Sequence, residues 1–139
     1  PRLVAHAARV RELATSHDHV LVEGAGGLLV ELDSDGGTLA GLGALLAPDA
    51  AFVLVARPAL GTLNHTALTL EALAARDLQV LGIVLGSWPD TPDFLHHSNR
   101  KVLCSLSAPF IGALPERASE LSPARFRAEA AAWLNGLPA

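Results

Sequence analysis

The chain of 139 residues contains 50% hydrophobic and 17% charged residues and carries a formal net charge of −4. Its ten basic residues are spread along the chain and form no stripe, which argues against a nucleic-acid surface. The apolar runs are too short to cross a bilayer, and residues 1–18 have an amphipathic helical pattern that does not fit a signal peptide. The lone cysteine, Cys104, cannot form an internal disulfide, so we expect a cytoplasmic protein.

The length predicts a single domain over residues 1–139. The sequence contains no methionine, and Pro1 leads directly into a helical pattern. We therefore expect the chain to be the carboxyl-terminal part of a longer domain.

The first predicted elements surround a corner that is rich in glycine. Apolar residues at helical spacing predict a helix that runs to about Thr15. Residues 20–23 form an apolar run that ends in a carboxylate, which we interpret as a buried strand, and residues 28–32 as a short extended segment. The glycines at 24–27 between them allow a tight turn or a close approach of the backbone to a ligand.

Strands and helices alternate in the remainder of the chain. In order, we predict a small helix capped by Thr38 and ending before Pro48, a strand at 51–56, a longer helix capped by Thr62, a strand at 80–86, a helix at 94–106, a strand at 109–114, and a helix opened by Ser122-Pro123 that ends near Gly136. The buried side of the longer helix is expected to carry Leu63, Ala67, Leu70, Leu73 and Ala74. Apolar strands that alternate with long helices predict an α/β fold, a parallel sheet with helices on both faces.

Glu23 is the first candidate site residue. Open α/β sheets bind ligands at the carboxyl ends of their strands, which is where the predicted strand places this carboxylate. An acidic side chain beside a glycine loop suits Mg²⁺, so the corner predicts a phosphate-and-magnesium edge. A solvated glutamate at a plain turn is the alternative. A dinucleotide-binding fingerprint is excluded, because Leu29 occupies its third glycine position and an extended segment follows the loop.

The segment Gly61-Thr62-Leu63-Asn64 opens a helix directly after a strand. The N–H groups in the first turn of a helix have no partner within the helix, so they could hold a carboxylate or a phosphate. Simple capping by Thr62 explains the same pattern equally well.

Other candidates have less specific patterns. The loops Gly86-Ser87-Trp88-Pro89 and Gly112-Ala113-Leu114-Pro115-Glu116 are expected at one edge of the sheet, where they could line a pocket for a base. The histidines of His17-Asp18-His19 and His96-His97 are expected to be solvated and not to bind a metal. Cys104 is expected to be a small core residue on a helix face.

Four segments of the chain carry a family resemblance through their order and spacing. They are Leu21-Val22-Glu23-Gly24-Ala25-Gly26-Gly27, Leu60-Gly61-Thr62-Leu63-Asn64-His65, Gly82-Ile83-Val84-Leu85-Gly86 and Ile111-Gly112-Ala113-Leu114-Pro115. Together they resemble dethiobiotin synthetase, the ATP-dependent cyclo-ligase of biotin biosynthesis, over nearly the whole chain. The resemblance implies a P-loop NTPase-like fold, incomplete here because the amino-terminal strand and the phosphate loop are absent.

The resemblance also implies the substrates and the residues that bind them. ATP, 7,8-diaminononanoate and carbon dioxide or bicarbonate would be the substrates, Mg²⁺ the cofactor, and a homodimer the assembly. Glu23 would bind magnesium, and Glu23, Gly24, Ala25 and Gly26 would border the ATP phosphates. Gly86, Ser87, Leu114, Pro115 and Glu116 would flank the nucleotide base. Gly61, Thr62, Leu63 and Asn64 would bind the tail carboxylate of the diamine across the dimer.

Two departures from the family pattern limit these implications. Gly86 stands where many relatives have an asparagine that hydrogen-bonds adenine, so selectivity for adenine is not expected. The lysines of the family's phosphoryl-transfer site have no counterpart in a chain whose only lysine is Lys101. We therefore expect no catalytic residue in this segment and no activity of the segment alone. A related P-loop amidoligase or ATPase and a non-catalytic dimerisation module remain the alternatives.

Overall fold

A computed structural model describes residues 2–135 of the chain. The contacts between residues divide it into two compact units. The first unit contains residues 2–51 together with Leu73–Gln79, and the second contains Phe52–Ala72 together with residues 80–135. The single domain over residues 1–139 stays a prediction.

The first unit is built on two helices, α1 (Leu3–Ala14) and α2 (Leu39–Leu46). The hydroxyl of Thr38 accepts a hydrogen bond from the Gly41 N–H at 3.1 Å, which confirms the predicted cap of α2. The carboxylate of Asp33 accepts hydrogen bonds from three backbone N–H groups, those of Leu3, Asp35 and Gly37. Asp33 therefore fixes the turn before α2 and the start of α1 at once.

The strand predicted at residues 20–23 is wrong. These residues form neither helix nor strand, and the Leu21 side chain is 96% exposed. The extended segment predicted at 28–32 is reduced to one antiparallel bridge between Glu31 and Thr38. A strand exists only when a neighbouring strand satisfies its N–H and C=O groups, and an apolar run cannot supply that neighbour by itself.

The second unit contains the sheet. Its elements are β1 (Phe52–Ala56), α3 (Thr62–Ala74, whose last two residues belong to the first unit), β2 (Val80–Trp88), α4 (Phe94–Leu103), β3 (Phe110–Pro115), a 3₁₀ turn (Ala118–Glu120) and α5 (Pro123–Trp133). The three strands are parallel in the order β1-β2-β3, which confirms the predicted α/β class. The Ser122 hydroxyl accepts a hydrogen bond from the Arg125 N–H at 3.3 Å, and Pro123 follows at the first helical position, as predicted. The predicted end of α5 near Gly136 lies outside the described residues.

The core of the second unit lies between the sheet and two of its connections. Leu70 of α3, Ile83 of β2 and Ala108 form a buried cluster, against which Leu54 and Phe110 pack. Alternate side chains of β1 point away from this core, and Val55 is 70% exposed. The strand predicted as buried is therefore a half-exposed edge strand.

Two helices differ in detail from their predictions. The buried residues of α3 are Thr62, Thr66, Leu70 and Leu73, whereas Ala67 and Ala74 are exposed. Helix α4 ends at Leu103 and not at 106, because the Ser105 N–H bonds to the Val102 carbonyl oxygen and tightens the last turn. Among residues 2–135, no helix is both long and apolar enough to cross a membrane.

Candidate functional site

The carboxyl ends of the three parallel strands meet at one edge of the sheet. At this edge β1 leads into the loop at residues 57–61, β2 ends at Trp88 and β3 ends at Pro115. Ligands of open α/β sheets bind at such an edge, beyond the carboxyl ends of the strands. The structure thus places two groups of predicted site residues on one edge: Gly61, Thr62, Leu63 and Asn64, and Gly86, Ser87, Leu114, Pro115 and Glu116.

The ends of β2 and β3 are joined directly. Trp88 pairs with Pro115, and the N–H of Glu116 donates to the carbonyl oxygen of Trp88 at 2.7 Å. The Glu116 carboxylate accepts a hydrogen bond from the Asp90 N–H at 3.2 Å, and the guanidinium of Arg117 pairs with the Asp90 carboxylate at 3.1 Å. The two segments predicted to flank a base therefore form one connected rim.

Gly86 lies within β2, because this strand continues to Trp88, two residues beyond its predicted end at Gly86. A Cβ at this position would approach Cγ1 of Val55 on β1 to 2.7 Å. Carbon atoms at that distance overlap, so a side chain at position 86 requires Val55 to move. The glycine thus leaves room for the Val55 side chain at this position.

The helix α3 begins at Thr62, directly after Gly61, whose φ is 90°. The first helical hydrogen bond joins the His65 N–H to the Gly61 carbonyl oxygen at 3.2 Å. Gly61 therefore occupies the cap position, and the predicted capping by Thr62 is wrong. The Thr62 side chain is instead buried at 6% exposure, because the left-handed turn at Gly61 starts the helix one residue earlier than the hydroxyl pattern indicates.

A pocket that contains the cation of Arg100 lies beside β3 and was not among the predicted sites. The guanidinium carbon of Arg100 lies 5.1 Å from the ring centroid of Trp88 and 5.4 Å from that of Phe110. Both distances are typical of cation–π contacts. Arg100 lines a cavity of about 350 Å³ with Trp88, Phe110, Pro115 and Trp133. These residues come from four elements, so local sequence patterns carry no signal for the pocket.

Glu23 lies in the first unit, in the loop that precedes α2. Its side chain is exposed and lines a cavity of about 260 Å³ with His6, Leu39 and Leu42. Gly26 in the same loop has a φ of 101°, a conformation that L side chains rarely adopt. The predicted roles of Glu23, Gly24, Ala25 and Gly26 stay predictions.

Residues 2–135 contain no group of three or more His, Cys, Asp or Glu side chains that could hold a metal ion. Glu23 is the one carboxylate among the described residues that line the cavity at this corner, which fits Mg²⁺ because this ion takes most of its ligands from water and phosphates.

The remaining candidates have structural roles. His96 completes a capping box of α4: the Asp93 carboxylate accepts from the His96 N–H at 2.9 Å, and the Asp93 N–H bonds to His96 Nδ1 at 3.2 Å. His17 is exposed, as predicted, and its Nδ1 lies 3.0 Å from the Leu13 carbonyl oxygen. The prediction for Cys104 is wrong, because this residue is exposed at the carboxyl-terminal cap of α4, where the helix leaves the core.

The family of this chain is established by comparison with known proteins. The family model described as an AAA domain matches residues 2–124. The chain belongs to the AAA-domain family. This membership and the three parallel strands confirm the P-loop NTPase-like α/β class, in an incomplete form.

Among the curated proteins that this chain resembles, several are named ATP-dependent dethiobiotin synthetase. The Streptomyces coelicolor protein is 52% identical over 135 residues, which are 96% of this chain and 55% of that relative. The Mycobacterium avium protein is 54% identical over 111 residues, or 80% of this chain and 48% of that relative. The resemblance drawn from the sequence motifs is confirmed, and the chain spans about half the length of the curated relatives it matches.

Proposed function

We propose that this AAA domain serves as the carboxyl-terminal part of a cytoplasmic ATP-dependent dethiobiotin synthetase. The observation that carries the proposal is the 52% identity, over 96% of the chain, to a protein of that name. The geometry agrees with it, because the candidate substrate and base residues follow strands whose carboxyl ends share one edge of the sheet.

The proposed reaction closes a ureido ring. One amine of 7,8-diaminononanoate adds to carbon dioxide and forms a carbamate, which then takes the γ-phosphoryl group of ATP. The second amine attacks the carbamoyl carbon and expels phosphate. The task of the protein is to hold the two substrates in line and to stabilise the charge that develops on the transferred group.

The tail carboxylate of the diamine is assigned to Gly61, Thr62, Leu63 and Asn64. The first turn of α3 directs its N–H groups out of the amino-terminal end of the helix, where the helix dipole also favours an anion. Gly61 and Asn64 are exposed, which leaves this end accessible. In the proposed homodimer this end serves the active site of the other subunit.

The nucleotide base is assigned to the rim formed by Gly86 and Ser87 on β2 and by Leu114, Pro115 and Glu116 on β3. The hydrogen bond from the Glu116 N–H to the Trp88 carbonyl oxygen, 2.7 Å long, supports this assignment by holding the two segments together. Gly86 has no side chain that could hydrogen-bond to the edge of the base. The rim would therefore contact the two faces of the base and not its edge.

The phosphates and magnesium are assigned to the corner of Glu23, Gly24, Ala25 and Gly26. Glu23 would be the one carboxylate ligand from this segment. When bound there, Mg²⁺ would neutralise charge on the phosphates. The segment has no Gly-x-x-x-x-Gly-Lys followed by Ser or Thr, so we expect it to make no dethiobiotin alone.

Ring formation by the complete enzyme tests the proposal. A full-length protein carrying this segment should convert 7,8-diaminononanoate, bicarbonate and ATP to dethiobiotin and release one phosphate per ring, whereas residues 1–139 alone should not. ATP hydrolysis without ring formation would indicate a related amidoligase or ATPase. Neither activity would indicate a non-catalytic dimerisation module.

A further inference from the structure

Asn99 of α4 is one of three buried polar residues in the described chain, at 5% exposure. Its side-chain Nδ2 donates to the carbonyl oxygens of Pro58 and Ala59, at 2.9 Å and 3.2 Å. These bonds join positions 41 and 40 residues apart in the sequence. Both protons of one amide are thus used on two successive carbonyl groups of the loop between β1 and α3.

The loop that Asn99 bonds to, between β1 and α3, also determines the orientation of the first turn of α3. The Ala59 carbonyl oxygen also accepts the Thr62 N–H at 3.3 Å, and the Gly61 carbonyl oxygen accepts the His65 N–H at 3.2 Å. A rotation of the peptide group at Ala59 would therefore change the direction of the first N–H groups of the helix. Asn99 opposes this rotation through its own hydrogen bond to the same carbonyl oxygen.

Side-chain packing of the loop itself does little to fix it. Leu60 is 87% exposed, and Ala59 and Gly61 are exposed as well. A loop with few buried apolar contacts opens at low free energy unless hydrogen bonds hold it. A buried amide that makes two hydrogen bonds is a strong constraint, because breaking them would leave a polar group unsatisfied away from water.

We propose that Asn99 is the positioning residue of the substrate carboxylate site, which it serves by fixing the Pro58 and Ala59 carbonyl groups so that the first turn of α3 faces the anion. The proposal rests on the proposed function, in which Gly61, Thr62, Leu63 and Asn64 bind the diamine tail. Asn99 does not touch the substrate and is not a catalytic residue.

The position of Asn99 favours this role over simple helix packing. Asn99 lies four residues before Leu103, and these two are the buried residues of α4, so Asn99 occupies a position where an apolar residue would pack as well. Burial of an amide there is costly unless both of its protons are satisfied, and the two loop carbonyl groups satisfy them.

Steady-state kinetics of the full-length enzyme test the proposal with three variants. Asn99→Leu keeps the branching of the side chain at Cγ and removes both donors, Asn99→Ser keeps one hydroxyl donor, and Lys101→Ala on the exposed side of α4 is the control. We expect Asn99→Leu to raise the KM for 7,8-diaminononanoate about tenfold while the KM for ATP changes less than about twofold, with Asn99→Ser in between and Lys101→Ala unchanged.

A diamine that lacks the tail carboxylate separates this proposal from the proposed function. The wild-type enzyme should bind it more weakly than the natural substrate, and Asn99→Leu should bind it as weakly as the wild type does. If the wild type does not distinguish the two diamines, the assignment of the carboxylate site fails. If it does distinguish them and Asn99→Leu behaves as the wild type with both, only the role of Asn99 is overturned.

Amide hydrogen exchange of the full-length enzyme gives a readout without turnover, and it also applies to Asn99→Ser if Asn99→Leu does not fold. The amides of Thr62 and His65 should exchange at least about threefold faster in either variant, while that of Val84 in β2 is unchanged. Equal acceleration at Val84 would show a general loss of stability and would overturn the positioning role, as would unchanged exchange at Thr62 and His65.

Discussion

The carboxylate of Asp33 accepts a hydrogen bond from the backbone N–H of Leu3 at 3.0 Å, across 30 residues. The same carboxylate binds the N–H of Gly37 at 2.8 Å and that of Asp35 at 3.0 Å. These hydrogen bonds, that from Gly37 foremost, lower the pKa of Asp33 below its ordinary value. One side chain thus joins the start of α1 to the turn before α2 in its ionised form.

The lowered pKa of Asp33 predicts acid sensitivity. Because the unfolded chain takes up this proton at a higher pH than the folded chain, the contribution of Asp33 is fully present above its unfolded pKa of roughly 4 and is lost as the pH falls through the folded value. Asp33→Asn should therefore lower the free energy of unfolding at pH 7 and flatten its dependence on pH below about 5. Urea denaturation between pH 3 and pH 7 measures both. Asp49→Asn, at an exposed position, is the control and should keep the wild-type slope.

Gly86 and Val55 should be energetically coupled. A Cβ at position 86 lies 2.7 Å from Val55 Cγ1, so Gly86→Asn should cost about 1 kcal/mol or more in the free energy of unfolding. Val55→Ala alone should change it by less than about 0.5 kcal/mol because this side chain is 70% exposed, and it should recover most of the loss in the double variant. Additive effects of the two changes would contradict the coupling. In the complete enzyme, the double variant should favour ATP over GTP more strongly than the parent does.

Gly112 should be required for the attachment of the chain after α5. Its φ is 151°, and a Cβ would lie 2.0 Å from the Trp133 carbonyl oxygen. Gly112→Ala should break the bridge to Leu134 and the 2.6 Å hydrogen bond from the Asn135 N–H to Ile111, at a cost of about 1 to 3 kcal/mol.

Denaturation curves and tryptophan fluorescence measure the effect of Gly112→Ala. Gly27→Ala is the matched control, because its Cβ would meet no atom closer than 3.9 Å. A stable Gly112→Ala variant that keeps the Asn135 amide protected from exchange would contradict this account.

Elements with local signals could be predicted from the sequence. The hydroxyls of Thr38 and Ser122 cap their helices as expected, because a cap needs only the N–H three residues away. The strands in the second unit were found for a related reason, since their apolar runs are bounded by loops rich in glycine and proline.

Features that depend on distant partners could not be predicted. Residues 20–23 have the composition of a strand and lack the neighbouring strand that would make them one, whereas β2 continues to Trp88 because Pro115 pairs with it. The role of Asn99 depends on carbonyl groups 40 residues away. Its one sequence signal is a polar residue between two leucines at helical spacing.

Glu23 provides the sharpest test of the proposed metal site. In the full-length enzyme, Glu23→Gln should raise the Mg²⁺ concentration for half-maximal activity by about tenfold or more, because the amide keeps the shape of the side chain and loses the charge that attracts a hard cation. Activity at saturating Mg²⁺ should recover in large part, since water can take the vacated position.

Glu31→Gln separates a ligand effect from a general change in charge. This second glutamate is exposed in the same unit and follows the glycine loop, so its replacement alters the net charge equally. We expect it to leave the Mg²⁺ dependence unchanged. If both variants shift that dependence by the same factor, the shift comes from the changed electrostatic potential of the surface, and Glu23 does not bind the metal. If Glu23→Gln alone shifts it, the single carboxylate at the corner binds the metal, and the remaining ligands come from phosphate, water and other parts of the enzyme.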